Sequence, residues 1–316
     1  MSKKLFHSFG WAFFVLPFFL IAQNHPDFAK YKALNDAETR LIEYKDSDHN
    51  LDLKLFQLDK INQSRAKFKA KPVQLDILAS RVANKMCKNA AENKYIGHWD
   101  TQGAKPYHRY AFAGGVDHVA ENASGKFNSA DFPVSDEFTS SSMLELHQTF
   151  MAEKAPRDAH KQTIIAPKHN FVGIGFFQTS NQFRYYEEFV DRYYEFIQFP
   201  TRLKVNETAE LVVKPQPNKF FFELLAFREN PLKPKPVSTL SSLGGYEDYS
   251  SEIAINIPPM DMPKYRNGDT YTIPIQFKKS GLYYIHLCET DDENLKPGRY
   301  SDAGKLNACG LVILVE

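Results

Sequence analysis

The hydrophobic period of this chain changes near Pro200, and that change limits the folds it can adopt. Before Pro200, apolar residues recur at helical spacing: Leu55, Leu58, Ile61 and Phe68 in one segment. Leu75, Leu78, Ala79, Val82, Ala83, Met86, Cys87 and Ala90 form a second stripe. Such spacing predicts amphipathic helices, the first ended by Lys71-Pro72 and the second giving way at Gly97. Met143 to Ala152 predicts a third helix. Tyr107 to Ser142, apart from a short stretch around Val116 to Asn122, reads as long loops. Two strand-like runs follow, Phe171 to Thr179 and Phe183 to Tyr194, joined at Ser180-Asn181. Helices mixed with antiparallel strands predict an α+β unit.

Beyond Pro200 the runs are short: Thr208 to Lys214, Phe220 to Arg228, Ile253 to Ile257, Thr270 to Phe277, Leu282 to Cys288 and Gly310 to Val315. Tyr271, Ile273, Ile275 and Phe277 alternate with smaller or polar neighbours, as a half-buried strand requires. Turn signals such as Arg266-Asn267-Gly268-Asp269 lie between them, so an all-β, immunoglobulin-like sandwich is expected. The boundaries expected are a signal peptide at 1–23, a linker or exposed helix at 24–50, an α+β domain at 51–199 and a β-sandwich at 200–316. Asn230 to Val237 (NPLKPKPV) reads as a stiff Pro-rich loop.

Lys and Arg number 39 against 38 Asp and Glu. That balance argues against nucleic acid as a partner, because nucleic-acid binders carry a basic excess. Lys3 and Lys4 precede an apolar run from Trp11 to Ala22, too short to span a bilayer comfortably. The N-terminus is therefore read as an export signal, with the mature protein starting near Gln23 or Asn24 and residing outside the cytoplasm, secreted or in the envelope. Cys288 and Cys309 end strand-like segments, so a disulfide between them is geometrically reasonable. Cys87 belongs to a helical stripe and is expected to be a small buried residue.

His98, Glu121, Glu153 and His160 are the residues whose types point to chemistry. They stand in GHWD, AENA, FMAEKA and DAHKQTIIAPKHNFVGIG. Two imidazoles and two carboxylates converging on one face would make a divalent-metal or acid/base cluster. Each alone is better read as a polar residue tying loops together. His118 is an alternative ligand or a loop residue, and His169 with Asn170 is expected to cap or pack locally. Glu289 to Glu293 lacks the ligand spacing of an EF-hand and reads as a solvated loop.

These residues give a resemblance. The segment from Leu58 to Tyr194 resembles the CAP superfamily (cysteine-rich secretory proteins, antigen 5, pathogenesis-related 1), whose domain is also called SCP. Leu58, Asn62 and Arg65 match its opening helix, and Lys71-Pro72-Val73-Gln74-Leu75 the exit into the second. GHWD supplies the His after that helix. Ala120-Glu121-Asn122-Ala123 stands where the family has Gly-Glu-Asn, and Phe150-Met151-Ala152-Glu153 where many members have Trp-x-x-Glu. The run from His160 to Gly175 and Glu188-Phe-Val-Asp-Arg-Tyr193 resemble two later bacterial motifs. Ala120 for Gly, Phe150 for Trp and Lys161 for an aromatic depart from the pattern.

The resemblance implies an α-β-α sandwich with a cavity lined by His98, Glu121, Glu153 and His160. It implies that His98 and His160 can hold Zn²⁺ or another divalent cation, with the glutamates supporting them. It leaves two functions open. One is an exported binding protein, its cavity taking a metal or a small, lipid-like ligand and its β domain contacting a glycan or cell-surface protein. The other is a metal-assisted peptide or ester hydrolase in which Glu121 or Glu153 serves as the acid/base. The chain has neither H-E-x-x-H nor G-x-S-x-G, which favours binding over catalysis.

Overall fold

The computed structural model describes residues 25–246, 252–290, 306–307 and 309–316. The export-signal reading of 1–23 and residues 291–293 of the solvated-loop reading lie outside the described residues. The first two residues of that reading, Glu289 and Thr290, are instead buried at the end of the strand Gly281–Thr290. Among the described residues, no helix is long and apolar enough to cross a membrane.

Six helices precede or flank the first sheet: α1 (Phe28–Ala37), α2 (Asp48–Lys67), α3 (Ile77–Glu92), α4 (Pro106–Phe112), α5 (Asp136–Met151) and α6 (Ala159–Ile165). Their starts follow local chemistry. The side chains of Ser47, Asp76 and Ser135 each accept a backbone N–H of the first turn. The segment expected as linker or exposed helix folds as α1, with Tyr31 and Asn35 buried.

Two helix ends share one device. Lys69 and Lys94 adopt φ of 60° and 59°. Past α3, the Tyr95 N–H donates to the Ala90 carbonyl at 3.0 Å and the Lys94 N–H to Ala91 at 3.2 Å. Past α2, the Ala70 N–H reaches Arg65 at 3.1 Å and Lys69 reaches Ala66 at 3.0 Å. Both are Schellman closures with lysine in the place glycine usually takes. The second helix therefore stops at Glu92 rather than at Gly97. Gly97 is needed for approach instead: a Cβ there would lie 2.8 Å from the Leu240 carbonyl oxygen.

The first sheet has the order β1-β3-β4-β2, from β1 (Gln74–Leu75), β2 (His118–Phe127), β3 (Phe171–Gln178) and β4 (Gln182–Asp191). The segment read as long loops contains α4 and the first turns of α5. The short stretch set apart around Val116 to Asn122 belongs to a ten-residue strand, β2, at the sheet edge. It pairs antiparallel with β4 over its whole length, Glu121 opposite Glu188 and Asn122 opposite Glu187. Strand alternation sends Phe183, Tyr185 and Phe189 to one face, into a core shared with α1, α2, α5 and α6. Tyr186 and Val190 face α3 and α4 on the other. The result is an α+β unit of helix, sheet and helix layers. Helix α3 lies tight on β3, because Gly173 and Gly175 place no side chain beneath Ala79 and Ala83. Arg65, fully buried, fixes α6 to α2 by donating to the carbonyls of Lys71, Ile164, Ala166 and His169.

Two further sheets follow. One runs β10-β11-β7-β5, from β5 (Tyr194–Gln198), β7 (Thr208–Pro215), β10 (Arg266–Asn267) and β11 (Thr270–Gln276). The other runs β6-β14-β12-β8-β9, with β6 (Arg202–Leu203), β8 (Phe220–Glu229), β9 (Ile253–Ile257), β12 (Gly281–Thr290) and β14 (Val312–Val315). A short β13 (Leu306–Asn307) pairs with β12. Leu211, Val213, Ile273, Ile275, Tyr283, Ile285 and Leu287 fill the space between these sheets, so the second half is the expected β-sandwich.

Cys288 and Cys309 do not form the disulfide judged reasonable from sequence. The register explains it: Cys288 lies opposite Asn307, while Cys309 bridges to Asp117 of the first half. Cys309 enters the sandwich core beside Ile285 and Leu287. Cys288, one residue on from Leu287, faces the other side of β12.

The connection from β8 to β9 crosses onto the α+β unit. The Lys235 N–H donates to the Thr101 carbonyl at 3.0 Å, and Lys105 Nζ donates to Glu229 Oε2 at 3.0 Å. The Tyr107 hydroxyl donates to Glu229 Oε1 at 2.6 Å, and its ring stacks on Tyr284 with centroids 4.1 Å apart. The Pro-rich stretch is spent on this packing.

Candidate functional site

The structure arranges the four sequence-selected residues as two imidazole–carboxylate pairs. His98 Nδ1 lies 2.8 Å from Glu121 Oε1. His160 Nδ1 lies 2.5 Å from Glu153 Oε1, and the His160 backbone N–H donates to Glu153 Oε2 at 3.1 Å. Because β2 alternates, Glu121 and Asn122 project to opposite faces of the sheet edge. Glu121 carries His98 on the face of α3 and α4. Asn122 Nδ2 donates to the His160 carbonyl at 3.1 Å and to Glu187 Oε2 at 3.1 Å on the other face.

The two pairs differ in access. Glu121 is buried, whereas the His160 and Glu153 side chains are 32% and 23% exposed. The His160 ring stacks on Phe150 with centroids 4.7 Å apart. The His98–Glu121 pair is covered by Tyr246, from the β8–β9 connection. Its ring lies 4.7 Å from the His98 ring, and its hydroxyl accepts the Glu121 N–H at 2.6 Å. That N–H points off the sheet edge, where no neighbouring strand can take it. Tyr246 thus satisfies the edge and roofs the pair.

Arg109, on α4, is the functional residue that sequence reasoning missed. Its guanidinium donates to Glu121 Oε2, to the His98 carbonyl at 2.6 Å and to the Ala104 carbonyl at 3.2 Å, and it lies 3.5 Å from Glu188 Oε1. The signal was weak in sequence, since PYHRYAF is a seven-residue helix with Pro at its start and no polar face to mark it, five of its residues being buried. Tyr246 gave no signal at all, because its role depends on contact between distant halves of the chain.

Two buried carboxyls share that one guanidinium. Burial raises both Glu121 and Glu188, with Arg109 opposing the rise; Glu188, next to the Glu121 charge, is pushed well above the usual carboxyl range. Glu188 Oε2 is also buried without a hydrogen-bond partner. A carboxyl raised in the folded state holds a proton that the unfolded chain releases. The stability it confers is complete below the unfolded pKa and is lost as pH rises through the folded one. Glu188→Gln, which mimics the protonated form, is therefore expected to raise Tm, and to raise it more in alkaline than in mildly acidic buffer. Each pH unit by which the folded carboxyl is raised is worth about 1.4 kcal/mol. A Tm difference independent of pH would refute the assignment.

His118 and His169 belong to another cluster. Asp191 accepts from His118 Nδ1 at 3.0 Å and His169 Nδ1 at 2.5 Å, all three buried. Burial works against the Asp191 charge, but the two imidazoles hold its carboxyl well below the usual range. His118 is thus a strand residue tying β2 to the end of β4, and His169 packs locally as expected.

The residues present do not fit a resident divalent ion. Among the described residues no group of three or more His, Cys, Asp or Glu is placed to hold one. His98 and His160 serve opposite faces of β2, and Arg109 already supplies the positive charge at Glu121.

No family model matches the sequence, and no curated protein matches it. Among solved structures, the chain is similar to an extracellular protein containing an SCP domain from Bacillus anthracis, at 15% identity and a TM-score of 0.35. That similarity covers 43% of this chain and 39% of the Bacillus protein, so about two fifths of that protein's length is spanned. It is also similar to an outer surface protein of Borrelia burgdorferi, at 16% identity and a TM-score of 0.35, over 44% of this chain and 92% of that one.

Proposed function

We propose that this chain is an exported binding protein of the CAP (SCP) kind, taking a small amphiphilic ligand at the Glu153–His160 pair. The sandwich roofs the His98–Glu121 pair and offers its outer surface to a glycan or cell-surface protein. The observation that carries the reading is the unequal access of the two pairs. Glu153 and His160 are partly exposed, whereas the His98–Glu121 pair is roofed, and the His160 ring is held by stacking on buried Phe150. Partly exposed, pre-positioned polar groups of this kind can fix the polar head of an amphiphile. No hydrolytic step is derived at the quartet, because its histidines do not gather round one ion.

Titration with an uncharged long-chain alcohol tests the reading. Saturable binding is expected, weakened about fivefold in His160→Ala, the loss of one hydrogen bond. Equal affinity in both proteins, or none in the native one, would sink it. Metal analysis of the same preparations is expected to give less than one equivalent. Stoichiometric zinc that disappears in His98→Ala/His160→Ala would restore a two-histidine metal site.

A further inference from the structure

We infer that the chain carries a second site, an acyl-transfer centre formed by Ser64, His147 and Glu187 in the cleft between α2 and α5. The geometry is a continuous relay. Ser64 Oγ lies 2.9 Å from His147 Nε2, and His147 Nδ1 lies 2.7 Å from Glu187 Oε1. Nucleophile, base and orienting carboxylate within hydrogen-bond reach are the arrangement of an activated serine.

The proton positions follow from the partners. Glu187 accepts from the Tyr185 hydroxyl at 2.7 Å on Oε1 and from Asn122 Nδ2 at 3.1 Å on Oε2. Surrounded by donors, it is an acceptor-only carboxylate, so His147 Nδ1 carries the hydrogen and donates it. Nε2 is then the lone-pair nitrogen, and the Ser64 hydroxyl donates to it. This is the polarity that a general base needs before it takes the serine proton.

Burial separates the roles. Glu187 and His147 are buried at 0% and 1% exposure, while Ser64 is half-buried. Ser64 and His147 line a cleft of roughly 500 Å³. A hydrogen-bond chain built only to hold layers together has no need to end on a cleft. Adjacent residues of β4 make this possible, because alternation aims Glu187 at α5 and Glu188 at Arg109 on the opposite face.

The cleft wall defines the substrate class. Lys60 and Lys67 flank Ser64 by one helical turn on each side and line the same cleft, which gives it a cationic wall. Phe68 and Met151 add apolar surface. A carboxylic ester with an anionic group near the scissile carbonyl and an apolar acyl chain suits this lining. In the first step Ser64 Oγ bonds to the carbonyl carbon as its proton passes to His147 Nε2. The lysines stabilise the oxyanion. Collapse breaks the bond to the leaving alcohol, which takes the proton from His147. Water then adds in the same way and releases the acid. Glu187 is a positioning residue, fixing the His147 tautomer without touching substrate.

A fluorophosphonate probe tests the site, since attack by Ser64 Oγ forms a phosphorus–oxygen bond and expels fluoride. We expect one adduct, on the peptide carrying Ser64, together with turnover of a short-chain nitrophenyl ester. Ser64→Ala removes a single half-buried oxygen and should keep native circular dichroism while losing the adduct and at least about a hundredfold in turnover. In Glu187→Gln, kcat should fall while KM holds, a split that lost packing alone would not give. No Ser64 adduct or no turnover in the folded native protein, or turnover undiminished in Ser64→Ala, overturns the inference.

Discussion

Replacing Arg109 by Met is expected to destabilise the protein by on the order of 3–5 kcal/mol, the cost of leaving buried charge without its partner. Arg109 touches Glu121 and Glu188 and donates to the carbonyls of His98 and Ala104. Methionine fills similar space but leaves two carboxyls and two carbonyls facing an apolar chain. The loop carrying His98 loses its anchor at the same time. Adding Glu121→Gln to Arg109→Met should recover part of the loss, because it removes one stranded charge. Thermal denaturation of the single and double variants checks this, and an unchanged Tm in Arg109→Met would refute it.

Gly173→Ala and Gly175→Ala are also expected to destabilise the protein, for a steric reason. A Cβ at Gly173 would sit 2.3 Å from the Ala79 carbonyl carbon, and one at Gly175 would sit 2.4 Å from that of Ala83. The obstacle is helix backbone, so no rotamer change relieves it. Helix α3 must lift from β3 or the strand must bow, at about 1–3 kcal/mol for each substitution, and more where neighbours cannot shift. Lifting α3 also moves the chain that runs from its C-terminus to His98. Ala83→Gly combined with Gly175→Ala should relieve little, because the Ala83 backbone remains. Gly245→Ala, with nothing within 4 Å of its added carbon, serves as the neutral control. Urea unfolding midpoints that match across all these variants would contradict the close approach.

Helices α2, α3 and α5 and the strands β3, β4, β7, β8, β9, β11, β12 and β14 were legible because their burial is local and periodic. Strand β2 was not, since HVAENASGKF contains few β-branched or aromatic residues. Its extended form comes from pairing with β4, a tertiary effect. The pairing of His98 with Glu121 and of Glu153 with His160 was hidden, because the division between faces depends on where β2 lies in the sheet. The other sites left one trace in sequence. Strand β4 is buried along its whole length yet contains Arg184, Glu187, Glu188 and Asp191. Charges in a fully buried strand need partners, and following each to its partner leads to the Tyr95 carbonyl, His147, Arg109 and the His118–His169 cluster.

Tyr246 has a consequence for affinity. Its phenol holds the edge of β2 as a ligand would, and it is joined to the same chain. A tethered group of this kind competes at an effective concentration on the order of millimolar. A free molecule seeking His98 and Glu121 must outbind it, and its apparent affinity falls by that margin. Tyr246→Ala would lift the competition without altering either member of the pair. Affinities measured on the N-terminal half alone would then describe a more welcoming site than the full-length protein possesses.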